Sequence, residues 1–132
     1  MFHYTVQTNK TVDEAIQTLE LSLKEEQFGI LWRFNIQEKL NEKGIEFNQR
    51  YEVLEVCNPV EAKKVLSENV LNGYFLPCKI TVYEHEGRTK IGLPKPSYLI
   101  GTAGEESATA LRDIALDIER RLIMCLDKSI RK

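Results

Sequence analysis

The sequence predicts an α+β domain in which helices pack on one face of a mostly antiparallel sheet. Three observations lead there. Short stretches that alternate apolar and polar residues are interspersed with stretches whose apolar residues recur at helical spacing. Two of the strand-like stretches are joined by a tight turn, His85-Glu86-Gly87-Arg88, with glycine where a positive φ is tolerated. The chain has 132 residues, 42% of them hydrophobic and 29% charged, which suits one domain spanning 1–132 with its own core.

Charge and composition narrow the function classes. Eighteen basic residues face 20 acidic ones, for a formal net charge of −2, and the basic residues are scattered. A surface that tracks phosphates shows clustered Lys and Arg, so nucleic acid is not an expected partner. The apolar runs are too short to span a bilayer, and the N-terminus lacks a charged region followed by an apolar one. A cytoplasmic location follows as an expectation, with Cys57, Cys78 and Cys125 mainly reduced. Three thiols cannot all pair within one chain.

Residues 2–8 read as the first strand. Thr11 with Glu14 forms a capping box, and Val12, Ala15, Ile16, Leu19 and Leu23 make the apolar face of the helix that follows. Phe28-Gly29 is expected to end it, and Ile30–Phe34 to form a second strand. Asn35 with Glu38 repeats the cap before a short helix, Ile36–Lys43, which Gly44 terminates. Tyr51–Cys57 is a strand with Tyr51, Val53 and Glu55 on one face and Leu54 and Val56 on the other. Asn58 caps the next helix and Pro59 suits its first position, where a backbone donor is not needed. That helix is expected to run to about Leu71, stopped by Asn72-Gly73, with Tyr74-Phe75-Leu76-Pro77 returning extended. Cys78–Glu84 and Thr89–Leu93 flank the hairpin turn. Residues 94–104 read as a long connection with a short extended piece at Tyr98-Leu99-Ile100. The last helix, about Glu106–Lys128, carries Leu111, Ile114, Ala115, Ile118, Leu122 and Cys125 on one stripe, with Leu116, Ile123 and Leu126 broadening it.

The residues Phe28-Gly29-Ile30-Leu31, then Cys57-Asn58-Pro59 with Ala62 and Leu66, then Leu76-Pro77-Cys78, resemble the bacterial and archaeal "domain of unknown function 302" family. The resemblance runs over nearly the whole chain. It implies a TATA-binding-protein-like fold with a β-α-β(4)-α core and small helical insertions, and a homodimer. It implies no particular activity, and the fold likeness carries no DNA binding with it.

The Cys57–Cys78 stretch is where a site is expected. A crossover between parallel strands would leave the two thiols roughly 20 Å apart, at opposite sheet edges. An extended return over Asn72–Pro77 also covers about 20 Å and makes the two strands antiparallel neighbours. The resemblance favours the second arrangement, which brings the thiols close. Cys57 precedes a helix N-terminus, whose dipole favours a thiolate. The plainer reading is that both are small buried apolar residues. The cysteine spacing is not that of a zinc site, and His85 lies about 23 Å along the strand from Cys78. No metal or cofactor is expected. Gly101-Thr102-Ala103-Gly104 lacks the lysine and spacing of a phosphate loop, and Glu105-Glu106 behind it disfavour an anion. Trp32 and Phe34, alternating with Arg33, are expected in the core or a pocket wall.

Three functions follow. The first is a cytoplasmic, dimeric module binding a small organic or sulfur species, with candidate ligand residues Asn58, Trp32, Tyr74 and Phe75 and with Leu76 on the pocket wall. The second is a thiol-dependent redox or sulfur-handling protein with Cys57 as nucleophile and Cys78 resolving. The third is a structural or assembly domain in which the extra apolar surface of the last helix, Leu116, Ile123 and Leu126, forms the dimer contact. No reaction is assigned.

Overall fold

A computed structural model describes residues 1–101 and 109–131. Five strands, β1 (His3–Thr8), β2 (Gly29–Asn35), β3 (Tyr51–Cys57), β4 (Cys78–His85) and β5 (Arg88–Pro94), form a single sheet in the order β1-β5-β4-β3-β2. Every neighbouring pair is antiparallel. The helices are α1 (Val12–Glu25), α2 (Ile36–Glu42), α3 (Pro59–Glu68), α4 (Pro96–Gly101) and α5 (Thr109–Ser129), with a 3₁₀ segment over Val70–Phe75. Without the insertions α2, α3, the 3₁₀ segment and α4, the order is β-α-β(4)-α, as expected. Among the described residues, no helix is long and apolar enough to cross a membrane.

The core lies between one face of the sheet and the long helices α1 and α5. Leu54, Val56, Ile80, Val82, Ile91 and Leu93 point from the strands to Leu19, Leu23, Leu111, Leu122 and Leu126, all buried. Glu52, Leu54 and Val56 are buried while Tyr51, Val53 and Glu55 alternate to the other face, as the period-two pattern of β3 requires.

Local chemistry explains most element boundaries. The Thr11 hydroxyl accepts from Glu14 N at 3.1 Å and the Glu14 carboxylate accepts from Thr11 N at 2.9 Å, closing the capping box. Asn35 Oδ1 accepts from Glu38 N at 2.9 Å and starts α2. Gly44, at φ +79°, ends the turn after it, with Ile45 N donating back to Leu40 O. The end of α1 differs from expectation: the left-handed residue is Gln27, at φ 65°, and Phe28 N closes the turn onto Leu23 O. Gly29 is instead the first residue of β2.

The expected helix to Leu71 stops at Glu68. Asn69 turns extended, and its side chain accepts from Leu71 N at 2.9 Å, the local competition that makes asparagine a poor helix-interior residue. The return to the sheet is then the 3₁₀ segment rather than extended chain, pinned by Asn72 Nδ2 donating to Val65 O at 3.0 Å. The Leu76–Pro77 peptide is cis. The extended piece expected at Tyr98–Ile100 is the helix α4: Pro96 sits at its first position, where its fixed φ suits a helix. Glu119 on α5 accepts from both Ser97 N and Ser97 Oγ, holding α4 against α5. The start of the last helix at Glu106, the Thr102–Gly104 part of the glycine-containing loop and Glu105 lie outside the described residues.

Candidate functional site

A cavity of about 410 Å³ lies at the Cys78 end of the sheet, under α4, α5 and the 3₁₀ segment. The 3₁₀ segment and the chain after it contribute Tyr74, Phe75, Leu76, Pro77 and Cys78. The helices contribute Leu99 and Ile100 from α4 and Ala115, Ile118 and Leu122 from α5. Its charged lining residues are Glu55 and Lys79, paired with each other at 3.2 Å. An apolar wall with one neutralised ion pair selects for an uncharged apolar body.

Four residues of the expected site meet here: Tyr74, Phe75, Leu76 and Cys78. Tyr74 is exposed, while Phe75 and Leu76 are half-buried and pack on the core. The other candidates do not join them. Trp32 lies on the opposite face of the sheet, 53% exposed, and stacks on Phe34 with ring centroids 5.3 Å apart. It is neither core nor part of this cavity wall. A bulge in β2 between Ile30 and Trp32 sets this register, pairing Trp32 with Glu55 and Phe34 with Val53.

β3 and β4 are antiparallel neighbours, so the two cysteines come near each other. Register decides how. Cys78 pairs with Val56, whose side chain faces the helices, so Cys57, one residue on, points to the other face. Cys78 lines the cavity, whereas Cys57 lines a surface groove with Leu31, Pro59, Ala62 and Leu66. All three cysteines are free thiols. Burial raises the Cys57 pKa, the reverse of the lowering expected from the α3 N-terminus. Burial, with a further push from the neighbouring Cys57 charge, raises Cys78 from 9.0 to about 11. Cys125 is buried in the core and is likewise raised to about 11.

Asn58 is fully engaged in structure. Its Oδ1 accepts from Val60 N and Glu61 N and its Nδ2 donates to Glu26 O at 3.2 Å, tying the start of α3 to the end of α1. Beside it, the Arg121 guanidinium donates to Glu26 O and Glu26 Oε1, and lies within 3.5 Å of both Asp117 and Glu61. It also sits 5.3 Å from the centre of the Phe28 ring. Glu61 is buried, and its Oε2 has no hydrogen-bond partner. Among the described residues, no group of three or more His, Cys, Asp and Glu is placed to hold a metal ion.

The α4 and α5 half of the cavity was missed by sequence reasoning. Ala115, Ile118 and Leu122 were legible as an apolar stripe, but a stripe that closes on a sheet and one that roofs a cavity have the same spacing. The buried acid Glu52 had a signal: it falls on the same face of β3 as Leu54 and Val56. There Arg33 and Arg50 hold its two carboxylate oxygens, at 2.9 and 3.2 Å.

No curated protein matches the chain. A crystal structure of an uncharacterized conserved protein DUF302 from Bacillus stearothermophilus is similar to it, with 54% sequence identity over 99% of each chain and a TM-score of 0.93. The family described as "Domain of unknown function DUF302" matches residues 4–129, and the chain belongs to that family.

Proposed function

We propose that the chain is a small-ligand-binding module, working in the cytoplasm as a homodimer, whose ligand occupies the cavity between α4, α5 and the 3₁₀ segment. The observation that carries the reading is the 410 Å³ volume with an apolar lining and a self-paired Glu55–Lys79 couple. That size falls within the usual range for small-molecule sites. The ligand it fits is uncharged and apolar, with Cys78 as a soft polarizable contact. Thiol exchange is the weaker reading, because both Cys57 and Cys78 hold their protons more tightly than a free thiol does.

An uncharged apolar dye, N-phenyl-1-naphthylamine, tests this. The expected result is saturable one-site fluorescence enhancement that Ala115→Phe, which fills the cavity, abolishes while the circular dichroism spectrum is retained. Enhancement that does not saturate, or that is unchanged in a folded Ala115→Phe protein, sinks the reading.

A further inference from the structure

The helix-free face of the sheet carries a strip of aromatic rings among the polar residues that a solvated antiparallel sheet presents. Its outward positions on β2, β3 and β4 include Trp32, Phe34, Tyr51, Val53 and Tyr83, half-buried or exposed and without a helix over them, beside the polar Glu55, Lys79, Thr81 and His85. Trp32 stacks on Phe34 and Tyr51 stacks on Tyr83, with centroids 5.3 and 4.9 Å apart, so the rings form a raised ridge on one half of the face. The other half, toward β5 and β1, is a hollow of about 400 Å³ with Thr5, Thr81 and Gly92 among its lining. Gly92 keeps that floor low: a Cβ there would lie 2.8 Å from Thr5 Oγ1.

We propose that this face is the contact between two copies of the chain, packed sheet to sheet, with the Trp32–Phe34 ridge of each copy seated in the Gly92 hollow of the other. The inference goes beyond the ligand reading and rests on the relief of this face; the cavity opens at the Cys78 end of the sheet and shares only Lys79 and Pro94 with the hollow. A two-fold axis along the strand direction carries β2 of one copy over β1 and β5 of the other, so ridge meets hollow twice in a self-complementary contact. Size agrees. Five strands about 4.8 Å apart and about seven residues long give a projected face of about 500 Å². Side-chain relief brings its accessible area toward the roughly 800 Å² per partner of a standard interface. Charge agrees too. Lys79 is paired with Glu55 at 3.2 Å, and the other cations, Arg88 and Lys90, sit at the hairpin end. β4 is the middle strand, so the axis sets the Lys79 side chains of the two copies near each other, each neutralised by its own Glu55, and the face offers no basic track for a polyanion.

Trp32 is the single tryptophan of the chain, so its emission reports on this face directly. Sedimentation of the full chain should show a dimer whose Trp32 emission shifts to the red and becomes quenchable by acrylamide on dilution. Trp32→Lys and, independently, Thr81→Arg should each weaken association by about thirtyfold or more, the effect of losing a central contact. Leu116→Arg, on the exposed side of α5, should leave it unchanged, and all three should keep wild-type circular dichroism. Two variants at separate points keep the test decisive if one of them fails to fold. A wild-type chain that stays monomeric with solvent-like Trp32 emission overturns the proposal. So does a dimer that survives both face variants or dissociates on Leu116→Arg, or a monomer whose Trp32 is quenched by single-stranded oligothymidine. Dye binding in the cavity by a folded Thr81→Arg protein separates failure here from failure of the ligand reading.

Discussion

Cys78 shows how one register position decides a residue's chemistry. Paired with Val56, it faces the helices and gives up water, and the loss of solvation disfavours its thiolate. A thiol whose pKa rises on folding holds its proton more tightly in the native state. The corresponding stability is full below about pH 9 and is lost as pH rises toward the folded value of about 11. The same sign holds for Cys125, raised to about 11. Two outcomes follow. Thermal stability should fall between pH 9 and 11 by more than in a Cys78→Ala, Cys125→Ala double variant, measured by melting against pH. At pH 8, iodoacetamide should modify native Cys78 more slowly than a free thiol by about tenfold or more, since the two-unit pKa rise removes most of the thiolate and the greater nucleophilicity of the remainder offsets part of that loss. Cys57, at the groove, should react first of the three. Fast modification of Cys78 in native protein would return thiol chemistry to consideration.

At the scale of elements, the caps carry the architecture. The capping box of α1, Asn35 before α2 and the Asn58-Pro59 start of α3 were legible because each is a local hydrogen-bond solution that needs no tertiary partner. The end of α1 was misplaced because a non-glycine residue occupies the left-handed position. Gln27 at φ 65° bears the steric penalty that a glycine such as Gly29, two residues on, would have avoided. Gln27→Gly should therefore raise the urea-unfolding free energy by about 1 kcal/mol, with no change in slope. No gain would mean that contacts of the Gln27 side chain offset its backbone strain. The 3₁₀ segment and α4 were illegible for a related reason. Both are short, both are bounded by proline or asparagine, and each is held by a tertiary bond, Asn72 to Val65 and Ser97 to Glu119. The residues of the sequence-based site come together only in part, on the same ground. Tyr74, Phe75, Leu76 and Cys78 are close in sequence and close in space, while Trp32 was separated from them by a face assignment that the β2 bulge sets.

The whole molecule is a sheet with three different environments around it, and they should differ in local stability. Over the middle of the sheet, α1 and α5 bury Leu54, Ile80, Val82 and Ile91 completely. At the Cys78 end, the 3₁₀ segment and α4 roof a cavity, so their inner side chains lack partner atoms on one side and lose dispersion contacts. Elements packed over a void open at lower free energy than a filled core does. Native-state hydrogen exchange should place the amides of Ile80, Val82 and Ile91 among the slowest, near the global unfolding limit. The amides of Asn72, Leu76, Tyr98 and Leu99, whose acceptors lie within the roof itself, should exchange much faster. An apolar molecule in the cavity supplies the missing contacts, so it should slow Asn72, Leu76, Tyr98 and Leu99 selectively and leave β1 unaffected. Protection that rises uniformly across the chain would mean only global stabilisation by ligand. Protection that instead centres on β1 around Thr5, which lines the hollow and not the cavity, would place the ligand on the helix-free face, so the exchange map distinguishes the two sites without knowledge of the natural ligand.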